Sequence, residues 1–166
     1  WLVGYIATRL AQVAVLCQSL VAFIASQSTL YSIPGVSMSI QPNTHPSIDP
    51  DLCGEPVELE SGMARVAFET TERMSVDERG LVHGGFVFGL ADYAAMLAVN
   101  DPNVVLGGAD VRFAAPVEVG QRVVATAEVV ETDGKKRVVE ATAEVDGDEV
   151  FAGTFTTFVL DSHVLD

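Results

Sequence analysis

Residues 83–85 read His-Gly-Gly, and nine residues after the histidine comes Asp92, the only charge between Gly85 and Val99. These four positions carry residue types that could do chemistry. Successive glycines let the backbone approach a ligand closely. If they open a helix, their N–H groups lack partners within it and sit at its positive end. Such donors suit a carbonyl oxygen on which negative charge develops. A tight entry turn, with His83 as a local cap, explains the same residues without a ligand. Asp92 lies within "FVFGLADYAAMLAV" (86–99). An unpaired carboxylate in apolar surroundings is costly, and burial raises its pKa. Groups perturbed in this way gather at sites of chemistry. At a helix edge, or capping a neighbouring loop, the same aspartate would be structural.

Spacing ties the two features to a second copy of the chain. The seven residues from Gly85 to Asp92 span roughly 10 Å of helix. A carbonyl held at the helix N-terminus is out of reach of Asp92 on that helix. If both act on one bond, Asp92 comes from another copy, across a two-fold axis relating antiparallel helices. The chemistry thus requires a homodimer with two equivalent sites.

The elements that position these residues follow from the pattern. A stretch apolar all round predicts a buried helix over 84–99. Alternation and β-forming residues predict strands at 63–74, 104–116, 121–132, 136–145 and 149–160. Asp133-Gly134 and Asp146-Gly147 separate the last three and signal hairpins. The order is strand, helix, then antiparallel meander. This predicts an α+β domain over 62–161, a curved antiparallel sheet around one central long helix, with a tail at 162–166.

Residues 38–61 hold Pro42, Pro46, Pro50 and Pro56 among polar residues. They read as a proline-rich lead-in, too broken for regular structure. Residues 1–37 contain no Asp or Glu and a single Arg, Arg9. Their apolar run over 10–25 falls short of the roughly 20 residues of a membrane span. Three readings stay open: an upstream extension from a mis-set start, a signal or anchor, and a helix of the domain.

Composition narrows the partners. Nine basic residues face 23 acidic ones, for a formal net charge of -14, and Lys occurs only at 135 and 136. That balance argues against nucleic acid and anionic membranes. It fits a salt-rich cytoplasm. Cys17 and Cys53 have no ligand-type spacing, so neither a disulfide framework nor a metal site is expected.

"VHGGFVFGLADYA" (82–94) and "ADVRFAAPVEVGQRVVATAEV" (109–129) together resemble hotdog-fold acyl-CoA thioesterases of the phenylacetate-pathway, PaaI-like type. The resemblance covers about residues 62–160. It implies dimers, often paired into tetramers, that hydrolyse an acyl-CoA without metal or redox cofactor. It implies Asp92 as nucleophile or as the base that activates water. The Gly84 or Gly85 amide would polarise the thioester carbonyl, and His83 would orient the thioester or the loop. Phe86, Phe88, Leu90 and Tyr93 are candidate walls for the acyl group, or plain core. Lys135, Lys136, Arg137 and Arg112 are candidates for the CoA phosphates; the first three also read as an exposed hairpin tip. The chain departs from the family pattern at Asp77, where Asn is frequent, and at "LGGADV" (106–111), where a Ser or Thr is frequent. There Gly107 and Gly108 either open room for the ligand or form a bulge. Two other functions fit the pattern: an acyl-CoA-sensing domain without catalysis, and a hydratase or dehydratase acting on enoyl thioesters through His83 and Asp92.

Overall fold

The computed structural model describes residues 37–166. The expectations for the preceding segment lie outside the described residues. A seven-stranded sheet runs in the order β1-β2-β3-β5-β6-β7-β4. The strands are β1 (Ser37–Met38), β2 (Glu55–Glu60), β3 (Met63–Glu69), β4 (Val104–Phe113), β5 (Arg122–Asp133), β6 (Lys136–Val145) and β7 (Asp148–Val159). All pairings are antiparallel except β1 with β2. A short helix α1 (Pro50–Cys53) precedes β2, and the long helix α2 (Gly84–Val99) follows β3. The sheet curves around α2 without closing, which is the hotdog fold.

Small residues let α2 sit close to the sheet. On the inner face, Val123 pairs with Val145, Ala125 with Ala143, Ala127 with Ala141 and Val129 with Val139. All eight are alanine or valine, and six of them have no exposure or nearly none; Val145 and Val129 are more open. Ala91, Ala94, Ala95 and Ala98 of α2 meet that floor, and Leu90, Met96, Leu97, Phe151 and Phe155 fill the rest of the core. The outer face carries the polar alternates, Thr126 opposite Thr142 and Glu128 opposite Glu140. This is the period-two pattern of a half-buried sheet.

Both Asp-Gly pairs make hairpins. Asp146 and Gly147 both take positive φ, 53° and 92°, between the paired Val145 and Asp148. That is the turn whose twist matches the flanking strands. At the other hairpin the loop is Gly134-Lys135, between paired Asp133 and Lys136.

Two readings of the sequence are corrected. The strand expected over 63–74 ends at Glu69, where Thr70 turns inward and donates to the Glu118 carbonyl at 2.7 Å. A 3-10 turn over Glu72–Met74 follows and buries Met74. The lead-in is also not structureless. It supplies β1, α1 and β2, with Leu59 fully buried. Pro56 hid β2 because it sits at a register shift, one of the few places a strand accepts proline. Upstream, Asn100 accepts from the Asn43 amide at 2.7 Å and donates to the Gln41 carbonyl at 2.9 Å. One side chain thus clasps the loop to the end of α2. Among the described residues, no helix is long and apolar enough to cross a membrane.

Candidate active site

The entry to α2 is built from local bonds. Asp77 Oδ1 accepts from the amides of Arg79 at 2.9 Å and Leu81 at 3.1 Å, folding 77–81 into a compact turn. An acceptor oxygen is what this turn needs, so Asp serves where the family pattern has Asn. The strand that follows is fixed from both sides. Val82 donates to the Val117 carbonyl and His83 to the Met74 carbonyl, each at 2.9 Å.

His83 is the N-cap of α2, with extended backbone and its Nδ1 accepting from the Gly85 amide at 2.8 Å. That bond makes Nδ1 the unprotonated ring nitrogen. It also separates the two candidate amides. The Gly85 N–H is occupied, whereas the Gly84 N–H donates to none of the described residues. Gly84 therefore presents the free donor at the positive end of the helix.

Asp92 lies two turns along. Its Oδ1 is buried and has no hydrogen-bond partner among the described residues. Burial pushes its carboxyl up from the usual 3.8 to about 6. Gly85, Gly89 and Asp92 follow one another at spacings of four and three, so they share one face of α2. Among the described residues that face is open at its two glycines. A methyl group added at Gly89 would meet nothing within 4 Å, and at Gly85 only the His83 ring.

The predicted walls divide. Leu90 is fully buried and Tyr93 nearly so, both in the core. Leu90 sits against α1, where Gly54 comes close to its Cδ1, and the Tyr93 ring lies 6.0 Å from that of His45 in the lead-in. Phe88 is half-buried and its ring lies against Phe151 and Phe155, with centroids 6.5 and 5.7 Å away. Phe86 presents its edge to the His83 ring at 6.4 Å.

Each predicted phosphate ligand has a local partner. Arg112 pairs with Glu149 at 2.7 Å, Lys136 with Glu131 at 3.6 Å, and Lys135 with Asp161. Arg137 donates to the Gly134 and Lys136 carbonyls. Within one copy, Lys135–Arg137 are not brought to Gly84. Lys136 pairs with Phe158, which pairs with Val105 at the start of β4, whereas Phe113 ends that strand beside Gly84. Eight strand residues, roughly 27 Å, separate the two ends. Gly107 and Gly108 form a bulge, and the Phe158 ring fills the space over Gly107.

Two residues were not placed near the site from the sequence. Phe113 lies on Gly84, and its one signal was an aromatic closing an otherwise ordinary strand. Cys53 at the end of α1 sits near Asp92: burial raises its thiol pKa, and the carboxylates of Asp49 and Asp92 raise it further. Gly54 holds α1 there. With φ +88°, a methyl group on it would stand 2.6 Å from Leu90 Cδ1.

The family of fluoroacetyl-CoA-specific thioesterases matches residues 97–163. An uncharacterized protein, PH1136 from Pyrococcus horikoshii, is 51% identical with a TM-score of 0.76, over 76% of this chain and 98% of that one. A point mutant of the phenylacetic acid degradation protein PaaI from Thermus thermophilus is 31% identical with a TM-score of 0.61. That match covers 66% of this chain and 95% of PaaI. The chain belongs to the hotdog-fold, PaaI-like thioesterase superfamily. Among curated relatives, the methylthioribose-1-phosphate isomerase of Aquifex aeolicus is 50% identical over 71% of this chain. The transcription factor FapR of Caldanaerobacter subterraneus subsp. tengcongensis is 33% identical over 69% of it. The chain spans 26% of the isomerase and 58% of that regulator.

Proposed function

We propose that this chain hydrolyses the thioester of an acyl-CoA to the free acid and CoA, as a homodimer in the cytoplasm. One observation carries the reading: a half-buried carboxylate with one buried, unpartnered oxygen shares a helix with an N-terminal amide that donates to none of the described residues. The Gly84 N–H receives the thioester carbonyl oxygen and stabilises the charge that develops on it. Asp92 of a second copy supplies the attack. As a base it takes a proton from water while the water oxygen bonds to the carbonyl carbon. As a nucleophile its oxygen bonds to that carbon directly, giving a mixed anhydride that water then hydrolyses. In both routes the C–S bond breaks and the thiolate leaves to be protonated. No metal or redox cofactor is called for. His83 is a positioning residue, because its cap on Gly85 fixes the strand of backbone that carries Gly84.

The edge position of β4 supports the dimer. Residues 106–110 are all exposed, with no strand on their outer side among the described residues. Antiparallel pairing of β4 with its own copy would set the start of one strand beside the end of the other. The second copy's Lys135–Arg137 would then approach the end that holds Gly84 and Phe113, where CoA phosphates need cations. A family resemblance and PaaI neighbours support the same activity.

The match to FapR favours a second reading, a domain that binds the thioester without cleaving it. Free-thiol release from a panel of acyl-CoAs, by the full chain and its Asp92→Asn variant, separates the two. It should be run at low and high salt because of the acidic surface. Turnover by the wild type that is lost in a folded Asp92→Asn variant supports hydrolysis. Tight acyl-CoA binding with no thiol release overturns it in favour of the sensor. An absorbance change on an enoyl thioester without thiol release would mark a hydratase.

A further inference from the structure

Beside the free Gly84 amide lies a hollow of 370 Å³, lined by Val82, Val87, Phe113, Pro116, Val117 and Val150 together with Gly84 itself. These side chains are all apolar. The volume falls within the range of small-molecule pockets. Phe113 stands out among them. It is 54% exposed, although an aromatic ring normally gains by burial. It is nevertheless held in place: its ring meets Phe151 edge-to-face at 5.3 Å and 70°, and lies against Gly84. A methyl group added to Gly84 would stand 2.8 Å from Phe113 Cε1. Glycine at 84 thus exposes an amide and also lets the aromatic ring settle over the helix start.

We infer that Phe113 determines which acyl groups the site accepts, by closing one side of the hollow that receives the chain attached to the carbonyl on Gly84. This rests on the thioester reading above. The ring comes from β4 and not from α2, so a substitution at 113 leaves the bond between His83 and the Gly85 amide in place. A chain long enough to meet the ring must displace it or stop short. A shorter side chain at 113 lengthens the hollow, and a larger one truncates it. In an apolar pocket, one methylene more or less changes discrimination by about 10- to 200-fold.

The test is the kcat/KM of the full chain and of Phe113→Ala, Phe113→Leu and Phe113→Trp across straight-chain acyl-CoAs of increasing length. The same series is measured for binding by calorimetry in the Asp92→Asn background. The expected result is a shift of the long-to-short preference by about tenfold or more toward long chains in Phe113→Ala. Phe113→Leu should shift it less, and Phe113→Trp should shift it the other way. Turnover with an unchanged length profile in all three variants overturns the role of Phe113 and leaves the thioesterase reading intact. Binding whose profile shifts as stated, without turnover in any protein, upholds Phe113 and overturns hydrolysis. Neither binding nor turnover overturns both.

Discussion

His83 Nδ1 accepts from the Gly85 amide at 2.8 Å, and this bond leaves Gly84 as the one of the two glycines whose amide has no partner among the described residues. Asn keeps a side-chain acceptor at the N-cap, whereas Ala does not. His83→Ala should therefore lose about 1 kcal/mol of stability and most of the turnover. His83→Asn should keep the stability and recover much of kcat. Urea melts and thiol release on both variants check this. Equal loss in both would mean that the imidazole itself takes part in the reaction.

Asp92 should make stability and activity respond to pH in opposite directions. Burial raises its pKa from 3.8 to about 6, so the folded chain binds this proton more tightly than the unfolded chain. The group's favourable contribution is complete below about pH 4 and is lost as pH rises through about 6. The displacement corresponds to about 3 kcal/mol. Asp92→Asn does not titrate, so its stability relative to the wild type should grow by up to that amount between pH 4 and pH 7. Turnover needs the charged carboxylate and should fall on acidification through about pH 6. Melts of the two proteins from pH 4 to 8, with a parallel pH–rate profile, measure both trends. A constant stability difference would show that Asp92 is not held in a dry environment.

Mixing two crippled chains tests the shared site. Asp92→Asn keeps its own Gly84 end, and His83→Ala keeps its own Asp92. After subunit exchange, a mixed dimer holds one site with both functional halves. Activity should rise above the sum of the separate variants, toward about a quarter of wild type at equal amounts. No rise, with exchange verified by mass, would place both groups in one chain's site.

Salt should stabilise the fold through a particular pair. Glu128 and Glu140 stand directly opposite on the outer face of β5 and β6, both exposed. Like charges at this position repel, and salt screens them. The melting temperature should rise with added KCl. Glu140→Lys should raise it at low salt and weaken its salt dependence. An unchanged salt response in that variant would assign the effect to the net charge as a whole.

Elements whose signals are local were legible. The two Asp-Gly pairs mark where β5 ends, where β6 begins and ends, and where β7 begins, because each lies at a tight hairpin whose backbone is set by local residues. The bounds of α2 follow from His-Gly-Gly at one end and Asn100, in left-handed conformation, at the other. Asp92 was legible as the one charge in an apolar helix. The burial of Leu90 and Tyr93 was not, because helix periodicity gives spacing and not what packs on each side, here Gly54 and His45 of the lead-in. The lead-in was opaque for a similar reason. Its order depends on Asn100, fifty-nine residues from Gln41, and no local pattern announces such a clasp. Phe113 and Gly84 likewise meet only when β4 is laid beside α2.

The two ends of the sheet are unequal. Among the described residues, one is the two-residue β1, and the other is the ten-residue β4. A second copy bonded along β4 would consume the long free margin of each subunit at once. Strand-by-strand growth would then have nowhere to continue. In such a dimer the same exposed backbone that invites a partner would also limit the number of guests to one, and would protect an apolar β-rich chain from polymerising into fibres.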